Sequence, residues 1–485
     1  MEAYRESAVL ESAVLESAAL WSLASFVRQQ RQAWGAGVPD LEDFERELHR
    51  HVLAFERELL AAELARYDVQ AEQVIVNGVA CGQPMTASET YLTTAGPVTV
   101  ERHLYRPAGR GSRHVCPLEM RAGIVEGYLT PAAARLGAYV TAHLVPETGA
   151  ELFAELGGMQ PSASALGRLP KGLSARWETH REEWEADLRT LECVPKRAAT
   201  LAVSLDGVLA PMRGVAPQPP EPAAEPKQPK GPKGYQEVGC GTVSLYDAEG
   251  ERLQTVRYGR MPQKNKVTLG QQLQAECQAI LAVQPRLRVV KLSDGARANW
   301  RYLSALDLGL PSGQLELWDI VDFYHACDHL HHATTLIWGE FTPKGRAEFE
   351  RLKTLLKEAD GGVEVILRTL RYRRDQARGA KRVSLTKELT YFRNQRPRMH
   401  YALYLRQHLP IASGVVEAAC KTLVAQRLKQ SGMRWSSAGG QALVTLRSLI
   451  QSGRWERAWT LLRQSYQQPV AIQSARAYAA LPLAA

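Results

Sequence analysis

No run of about 18 uncharged apolar residues occurs anywhere in the chain, so no helical membrane span is expected. The start, MEAYRESAVLESAVLESAALW, is acidic where a secretory leader would be basic, which makes the cytoplasm the expected compartment. Cysteine is sparse: seven residues, at 81, 116, 193, 240, 277, 327 and 420, are odd in number and scattered, which excludes a disulfide framework. Cys81 and Cys116 resemble what is left of a zinc ribbon, but two cysteines without CxxC spacing make a poor four-ligand site. Charge is nearly balanced, with a net of +9.

What is present is size and one basic block. With 485 residues, 45% hydrophobic and 23% charged, the chain reads as a soluble globular protein of about three domains, at roughly 150 residues each. Between Arg368 and Arg406 stand twelve Lys or Arg against two acids, an excess that by itself accounts for the net charge. Tyr372, Tyr391, Phe392, Tyr401 and Tyr404 interleave with it, as on a surface that neutralises phosphates and stacks on bases; a solvated arginine-rich helix face has the same composition.

The stretch that organises the rest is Ala198 to Met212, AATLAVSLDGVLAPM, an apolar run with the features of a buried strand that delivers Asp206 and Gly207 at its exit. A second strand, within Leu287 to Trp300, delivers Asp294 and Gly295, and a third, Leu315 to Val321, empties into Asp322. Acids at the carboxyl ends of buried strands are where open α/β sheets build sites; turn and helix-cap chemistry is the competing explanation for each one singly.

Along the chain, residues 8 to 20 form an acidic five-residue near-repeat of helix formers, and Asp40 to Asp68 one long amphipathic helix. Residues 73–128 read as a small β-hairpin module with Gly96-Pro97 as its turn. Residues 129–195 read as helical: PETGAELFAEL, Gly157-Gly158 and PSASALGRL have the proportions of a DNA-reading helix-turn-helix, an outline shared by any helical hairpin, followed by a helix from Leu173 to Leu191. After Asp206 comes a proline-rich loop, residues 215–234, that excludes helix and sheet. Tyr235 to Asp247 and Arg252 to Arg260 then pair around an Asp-Ala-Glu-Gly turn, and an amphipathic helix, Lys266 to Val283, leads to the Asp294 strand. This order of strand, hairpin, helix, strand, helix, strand opens a ribonuclease H-like α/β domain. Residues 196–324 and 411–450 are assigned to it, 325–410 to a basic all-helical insertion, 1–72 to a helical N-terminal region and 451–485 to a C-terminal tail.

Glu417 sits in IASGVVEAACKTLVAQRLKQSGMRWS, residues 411 to 436, where Ser413 fits an N-cap and Val416, Cys420, Leu423 and Arg427/Leu428 mark a helix face. Lys421, four residues on, offers it an ordinary helical ion pair. The strings SLDGV (204 to 208), LSDGARANW (292 to 300), WDIVDFYHACDHL (318 to 330), YFRNQRPRMHYALY (391 to 404) and SGVVEAACKTLVAQRLKQSGMRWSSAGGQALVTLRSL (413 to 449) together resemble bacterial DDE transposases of the ISKra type, relatives of the Mutator-like group. The likeness runs from about Val74 to Trp459. It implies that Asp206, Asp294 and Glu417 are a catalytic triad holding two Mg²⁺ ions, with Mn²⁺ as substitute. Three carboxylates suit that role, because two hard cations about 4 Å apart activate a water and steady the leaving oxygen of a phosphodiester. It also implies that Asp322 and His325, an Asp-x-x-His, organise the site or hold a flipped base; a cap with a packed histidine is the structural alternative.

The expected partner is double-stranded DNA, both the element's terminal inverted repeats and the target, engaged by a homo-oligomer, at least a dimer, in a bacterial cytoplasm at the nucleoid. Arg371, Arg373, Arg374, Arg378, Lys381, Arg382, Arg396 and Arg398 of the basic block, with Arg434 and Trp435, are the expected DNA contacts, though a tryptophan in an apolar neighbourhood is commonly core. The histidines from His325 to His332 invite a zinc reading, but only His325, His329 and His332 share a face and no outside ligand is evident. Two other activities remain open: a silent, domesticated transposase that only binds DNA, and a nuclease on the same fold. The resemblance is incomplete where a cysteine-rich knuckle is expected near the hairpin, and where the proline-rich loop looks expanded.

Overall fold

A computed structural model describes residues 17–33, 40–107, 114–214, 234–310 and 315–472. The repeat before residue 17 and the proline-rich stretch at 215–233 therefore lie outside the described residues. The chain divides into two compact units, residues 1–180 with 456–485, and residues 181–455.

The first unit begins with α1 (Ala18–Ala33) and α2 (Leu41–Arg66), the latter started by Asp40, whose side chain accepts from the backbone N–H groups of Glu42 and Asp43. Then come β1 (Val74–Val76), β2 (Val79–Thr93) and β3 (Gly96–Pro107), paired antiparallel in sequence order. The hairpin turn falls at Thr93 to Gly96, just before the expected Gly96-Pro97, because Gly96 already pairs with Thr93. Cys81 and Cys116 pack into separate apolar clusters.

Four helices follow: α3 (Pro117–Ala122), α4 (Pro131–His143), α5 (Pro146–Leu156) and α6 (Ala163–Thr179). Gly157 and Gly158, at φ of 73° and 77°, make the turn between α5 and α6, a conformation that favours glycine. Two helical expectations are corrected. The helix expected to stop at Leu169 continues to Thr179 with Pro170 inside it, because buried Leu166, Leu169, Leu173 and Trp177 run through the proline and outweigh one lost backbone bond. The helix expected from Leu173 to Leu191 is broken at His180.

The second unit opens with α7 (Arg181–Thr190) and is built on a five-stranded mixed sheet. Its strands are β4 (Thr200–Pro211), β5 (Tyr235–Tyr246), β6 (Arg252–Arg260), β7 (Arg288–Ser293) and β8 (Leu317–Val321), in the order β6-β5-β4-β7-β8. β4 is central and buried along Thr200 to Leu205, as its unbroken apolar run requires. β5 and β6 form the antiparallel side; Glu251 N–H donates to the Asp247 carboxylate and Gly250 takes a φ of 85° at the expected turn. α8 (Val267–Val283) and α9 (Arg297–Ala305) carry the chain into the parallel strands β7 and β8.

Beyond β8 the chain is helical: α10 (Phe323–Trp338), α11 (Pro343–Glu358), α12 (Gly362–Gln376), α13 (Gly379–Gln395) and α14 (Tyr401–Arg406). Then α15 (Gly414–Ala419) passes into a π-helical stretch, Cys420–Ala425, and α16 (Ser437–Gln451) follows. The π turn is supported from the side by buried Arg447, whose Nε donates to the carbonyls of Thr422 (3.0 Å) and Leu423 (3.1 Å). One apolar cluster joins the sheet to α8 and to α10 through α14, and a second packs α15, the π turn and α16 on the β4–β5 side.

The final segment belongs to the first unit rather than forming the expected tail. It contains most of α17 (Trp455–Tyr466) and β9 (Val470–Ile472), which pairs antiparallel with β1 so that Val74 faces Ile472. Arg176 stacks 3.9 Å above the Tyr466 ring, whose hydroxyl donates to Glu126 (2.7 Å). Among the described residues no helix is long and apolar enough to cross a membrane.

Candidate active site

Strand register brings three aspartates to one level. Ser204 of β4 pairs with Leu292 of β7, and two residues further on Asp206 stands beside Asp294. Ser293 pairs with Val321 of β8, and one residue further on Asp294 stands beside Asp322. Neighbouring strands are about 4.8 Å apart, so the three backbones form a row. Contrary to the expectation, β4 does not end at Asp206: pairing with β5 continues to Pro211, with Asp206 opposite Cys240. Asp206 marks where the parallel neighbour β7 stops, which uncovers that side of β4.

Each carboxylate has a different setting. Asp206 Oδ1 accepts from Gly207 N–H (2.7 Å), and Cys420 Sγ lies 3.7 Å from Oδ2. Burial foremost, with the negative charges of Asp294 and Glu417, pushes the Asp206 carboxyl above the usual range. Asp294 Oδ1 accepts from Ala296 N–H (3.1 Å), Asn299 Nδ2 (3.1 Å) and Ser293 Oγ (3.2 Å), while among the described residues its Oδ2 has no hydrogen bond. Asp322 is almost wholly buried. Its Oδ1 accepts from His325 N–H (2.6 Å), capping α10, and its Oδ2 accepts from the backbone N–H of Ser413. That carboxylate thus ties β8 and α10 to the approach of α15.

Glu417 stands in the first turn of α15, exposed, and its Oε1 accepts from Ser413 Oγ (2.8 Å). Ser413 occupies the N-cap position, but its hydroxyl reaches Glu417 and makes no cap to the backbone, a departure from the expected role. Among the described residues no three His, Cys, Asp or Glu side chains are grouped as they would be around a metal ion. Asp294 and Glu417 are near enough for their charges to act on Asp206, with Glu417 turned to its own serine.

Both Asp-Gly pairs have a steric reason. A Cβ on Gly207 would lie 2.1 Å from Glu237 Oε1, and a Cβ on Gly295 would lie 2.4 Å from Tyr391 Cε2. Glu237 pairs with Lys266 (2.6 Å), and Lys266 Nζ donates to Asn299 Oδ1 (3.1 Å), the same asparagine that holds Asp294. Sequence reasoning missed Glu237, Lys266, Asn299 and Cys420 as neighbours of the site; Asn299 lay inside the LSDGARANW string.

The insertion reaches the same row through α13. Tyr391 lies over Gly295, and Gln395, one turn on, donates to the Gly295 carbonyl (3.0 Å). The Tyr391 ring stacks on His329 (centroids 3.6 Å apart, 16° between planes) and meets the edge of His325 at 6.1 Å. His329 Nδ1 and His332 Nδ1 lie 2.7 Å and 2.8 Å from the two oxygens of buried Glu388. Burial opposes ionisation of Glu388, but the two histidine hydrogen bonds outweigh it and hold the carboxyl below its usual range. Of the histidines that invited a zinc reading, His329 and His332 thus each turn Nδ1 to the same carboxylate.

The basic residues divide. Arg371, Arg378 and Arg382 are exposed and make no ion pair among the described residues, whereas Arg374 pairs with Asp375 (2.6 Å), Arg396 with Glu364, and Arg398 with Asp319 (3.6 Å) while stacking 4.0 Å above Trp300. Arg373 covers the Trp338 and Tyr372 rings, and Lys381 Nζ donates to the Ile337 carbonyl (3.4 Å). Arg434 is exposed. Trp435 is half-buried against the second apolar cluster, donates through Nε1 to Leu428 O (2.9 Å) and extends the edge of β4 by a bridge to Met212.

No protein-family model matches this sequence, and no curated protein matches it. A solved structure titled "Drosophila P element transposase strand transfer complex" is similar over 70% of this chain and 81% of that chain, at 12% identity and a TM-score of 0.23, a score that carries no argument about fold or function.

Proposed function

We propose that this chain is a DDE-type transposase whose second unit is a ribonuclease H-like domain with an all-helical insertion between Asp322 and Glu417. The observation that carries the reading is the register that sets Asp206 beside Asp294 on adjacent parallel strands, with the charge of Glu417 acting on Asp206 from α15. Strand cleavage at the ends of a mobile element, followed by joining of the freed 3′-hydroxyl to target DNA, is the activity this arrangement supports.

The three acids offer oxygen, the donor that a hard divalent cation takes, and Asp294 keeps a carboxylate oxygen unengaged. Cys420 Sγ also lies 3.7 Å from Asp206 Oδ2, and the three side chains are not gathered as ligands in this structure. Asp206 and Asp294 would hold Mg²⁺, with Glu417 completing the set once it leaves Ser413; bound there, the cations would activate a nucleophile and neutralise charge on the leaving oxygen. The chain's own residues do the positioning. Asn299 and the Ala296 N–H orient Asp294, Gly207 N–H and Cys420 orient Asp206, and Asp322 anchors the segment that carries Glu417. The exposed Arg371, Arg378 and Arg382 supply phosphate contacts, and cutting two ends in concert calls for at least a dimer.

The hydrogen bond between Glu417 and Ser413 favours a second reading, a related protein that binds DNA without cutting it. Incubation with DNA carrying terminal inverted repeats and Mg²⁺ or Mn²⁺ decides between them. The proposed enzyme nicks at the repeat ends and Asp206→Asn does not; full cleavage by Asp206→Asn would overturn the assignment.

A further inference from the structure

Lys266 stands where local rules disfavour a lysine. It is the N-cap residue of α8, and at φ 44° and ψ 35° its backbone is left-handed, as is that of Asn265 before it at φ 58°. Outside glycine that conformation is costly, and lysine lacks the short polar side chain that lets asparagine adopt it. Its ammonium cannot accept from the first-turn N–H groups, so it makes no cap, and the side chain of Gln263 takes the Thr268 N–H instead (3.3 Å). A positive charge at this end also opposes the helix dipole. The ion pair with Glu237 (2.6 Å) does not offset these costs, because the Glu237 side chain is 49% exposed and such pairs contribute little. Backbone strain of this kind collects at functional sites, and the other contact of Lys266 leads to one.

That contact is Asn299, almost wholly buried, whose Oδ1 accepts from Lys266 Nζ (3.1 Å) while its Nδ2 donates to Asp294 Oδ1 (3.1 Å). An amide can turn either end to a neighbour, whereas an ammonium can only donate. Lys266 therefore holds the carbonyl end and leaves the NH₂ end for the carboxylate. Resting on the transposase reading, we infer that Lys266 is a positioning residue of the acid site: through Asn299 it fixes the rotation of Asp294, so that Oδ1 is engaged and Oδ2 is presented to a divalent cation. Without the lysine the amide is free to flip and set its oxygen against the carboxylate. On its other side Lys266 holds Glu237, which packs over Gly207, so a single ammonium joins the Asp206-Gly207 stretch of β4 to Asp294.

The test is Mn²⁺ binding to the full chain without DNA, read by electron paramagnetic resonance, beside nicking of inverted-repeat DNA. The proteins compared are wild type, Asp206→Asn, Lys266→Met, Lys266→Arg and Asn299→Ala. The Mn²⁺ binding that Asp206→Asn removes is expected to weaken about tenfold in Lys266→Met, as when a partner that orients a metal ligand is lost. Nicking should shift to about tenfold higher Mn²⁺ with its saturated rate nearly kept. Lys266→Arg, which keeps the charge and the donors, should recover most of the affinity. Lys266→Met combined with Asn299→Ala should bind no more weakly than Asn299→Ala alone, because the two act in series. Lys266→Met, and Lys266→Gly, which relieves the left-handed backbone, should both melt within a few degrees of wild type. Mn²⁺ binding that either Asp206→Asn or Lys266→Met leaves unchanged overturns this inference; nicking lost in Asp206→Asn alone then leaves the transposase reading standing, and full nicking by Asp206→Asn overturns both. A melting temperature lowered by more than about 5 °C in both Lys266→Met and Lys266→Gly assigns the lysine to structure and also overturns the inference.

Discussion

Replacing Asp322 with alanine isolates the join between the strand side and the Glu417 helix. Its two oxygens accept from the backbone N–H groups of His325 and Ser413, and the side chain is almost fully buried. Asp322→Ala strands both donors, each at about 1–3 kcal/mol, and the first of these is also the N-cap of α10, whose loss by itself is typically about 1 kcal/mol. Deleting a buried charge returns part of the desolvation it suffered, so a net loss of about 3 kcal/mol is expected. With a urea dependence of about 3 kcal/mol per molar, the unfolding midpoint of the second unit falls by about 1 M. Asp322→Asn keeps one oxygen as acceptor and should lose about half as much. The measurement is urea unfolding followed by circular dichroism, with α15 watched by amide exchange at Val416 and Glu417. A midpoint shift under about 0.3 M for Asp322→Ala would show that these two hydrogen bonds do not hold the segment, and the account of how Glu417 is placed would fail.

Other outcomes follow from the same geometry. Asp206→Asn should raise the melting temperature in the absence of divalent cations. The raised carboxyl of Asp206 makes its ionised form a liability that is absent below the ordinary aspartate range and grows as pH rises through the raised value, so the gain should be visible at pH 7 and shrink in acid. Glu388→Gln should destabilise the helical insertion by about 2 kcal/mol near neutrality. The Glu388 carboxyl is held low, so its contribution is present above the ordinary glutamate range and disappears as pH falls through the lowered value; the variant should lack that acid-side loss in pH-dependent melting. Gly295→Ala must displace the Tyr391 ring and should lower stability by about 1–3 kcal/mol, measured by thermal unfolding, whereas Gly270→Ala, in a helix at a position with open space, supplies a control for a tolerated change in volume. Converting Arg371, Arg378 and Arg382 to alanine should flatten the slope of log K against log salt by about 0.9 per lost phosphate contact, and converting the ion-paired Arg396 and Arg406 should change it less.

The strands were legible because their composition matches their burial: the first half of β4 is an apolar run that meets an acid, β7 and β8 are followed closely by acids, and β5 and β6 flank a turn with its own aspartate and glycine. Register was not legible, yet it sets the aspartates level with one another, because it depends on pairing between segments far apart in sequence. Asp322 was ambiguous for a related reason: the motif that suits a site residue also suits a cap, and only the Ser413 contact, long-range in sequence, shows what both its oxygens do. Glu388 looked like one of two acids in a basic block until two histidines from α10 were seen to meet it. Tyr391 was read as one aromatic among arginines, and nothing local to it announces that Gly295 lies beneath its ring. The helix through Pro170 shows the opposite limit, where a strong local signal is overridden by the apolar stripe on either side of it.

The short pairing of β9 with β1 has a consequence for biosynthesis. Residues 1–180 leave the ribosome first, yet their four-stranded sheet acquires its last strand only after the entire second unit has been translated. At about 5–20 residues per second, that interval is on the order of 15–60 s. Throughout it, the outer edge of β1 waits for its native neighbour, and a nascent chain stalled in this window would present an open β-edge to any other strand within reach.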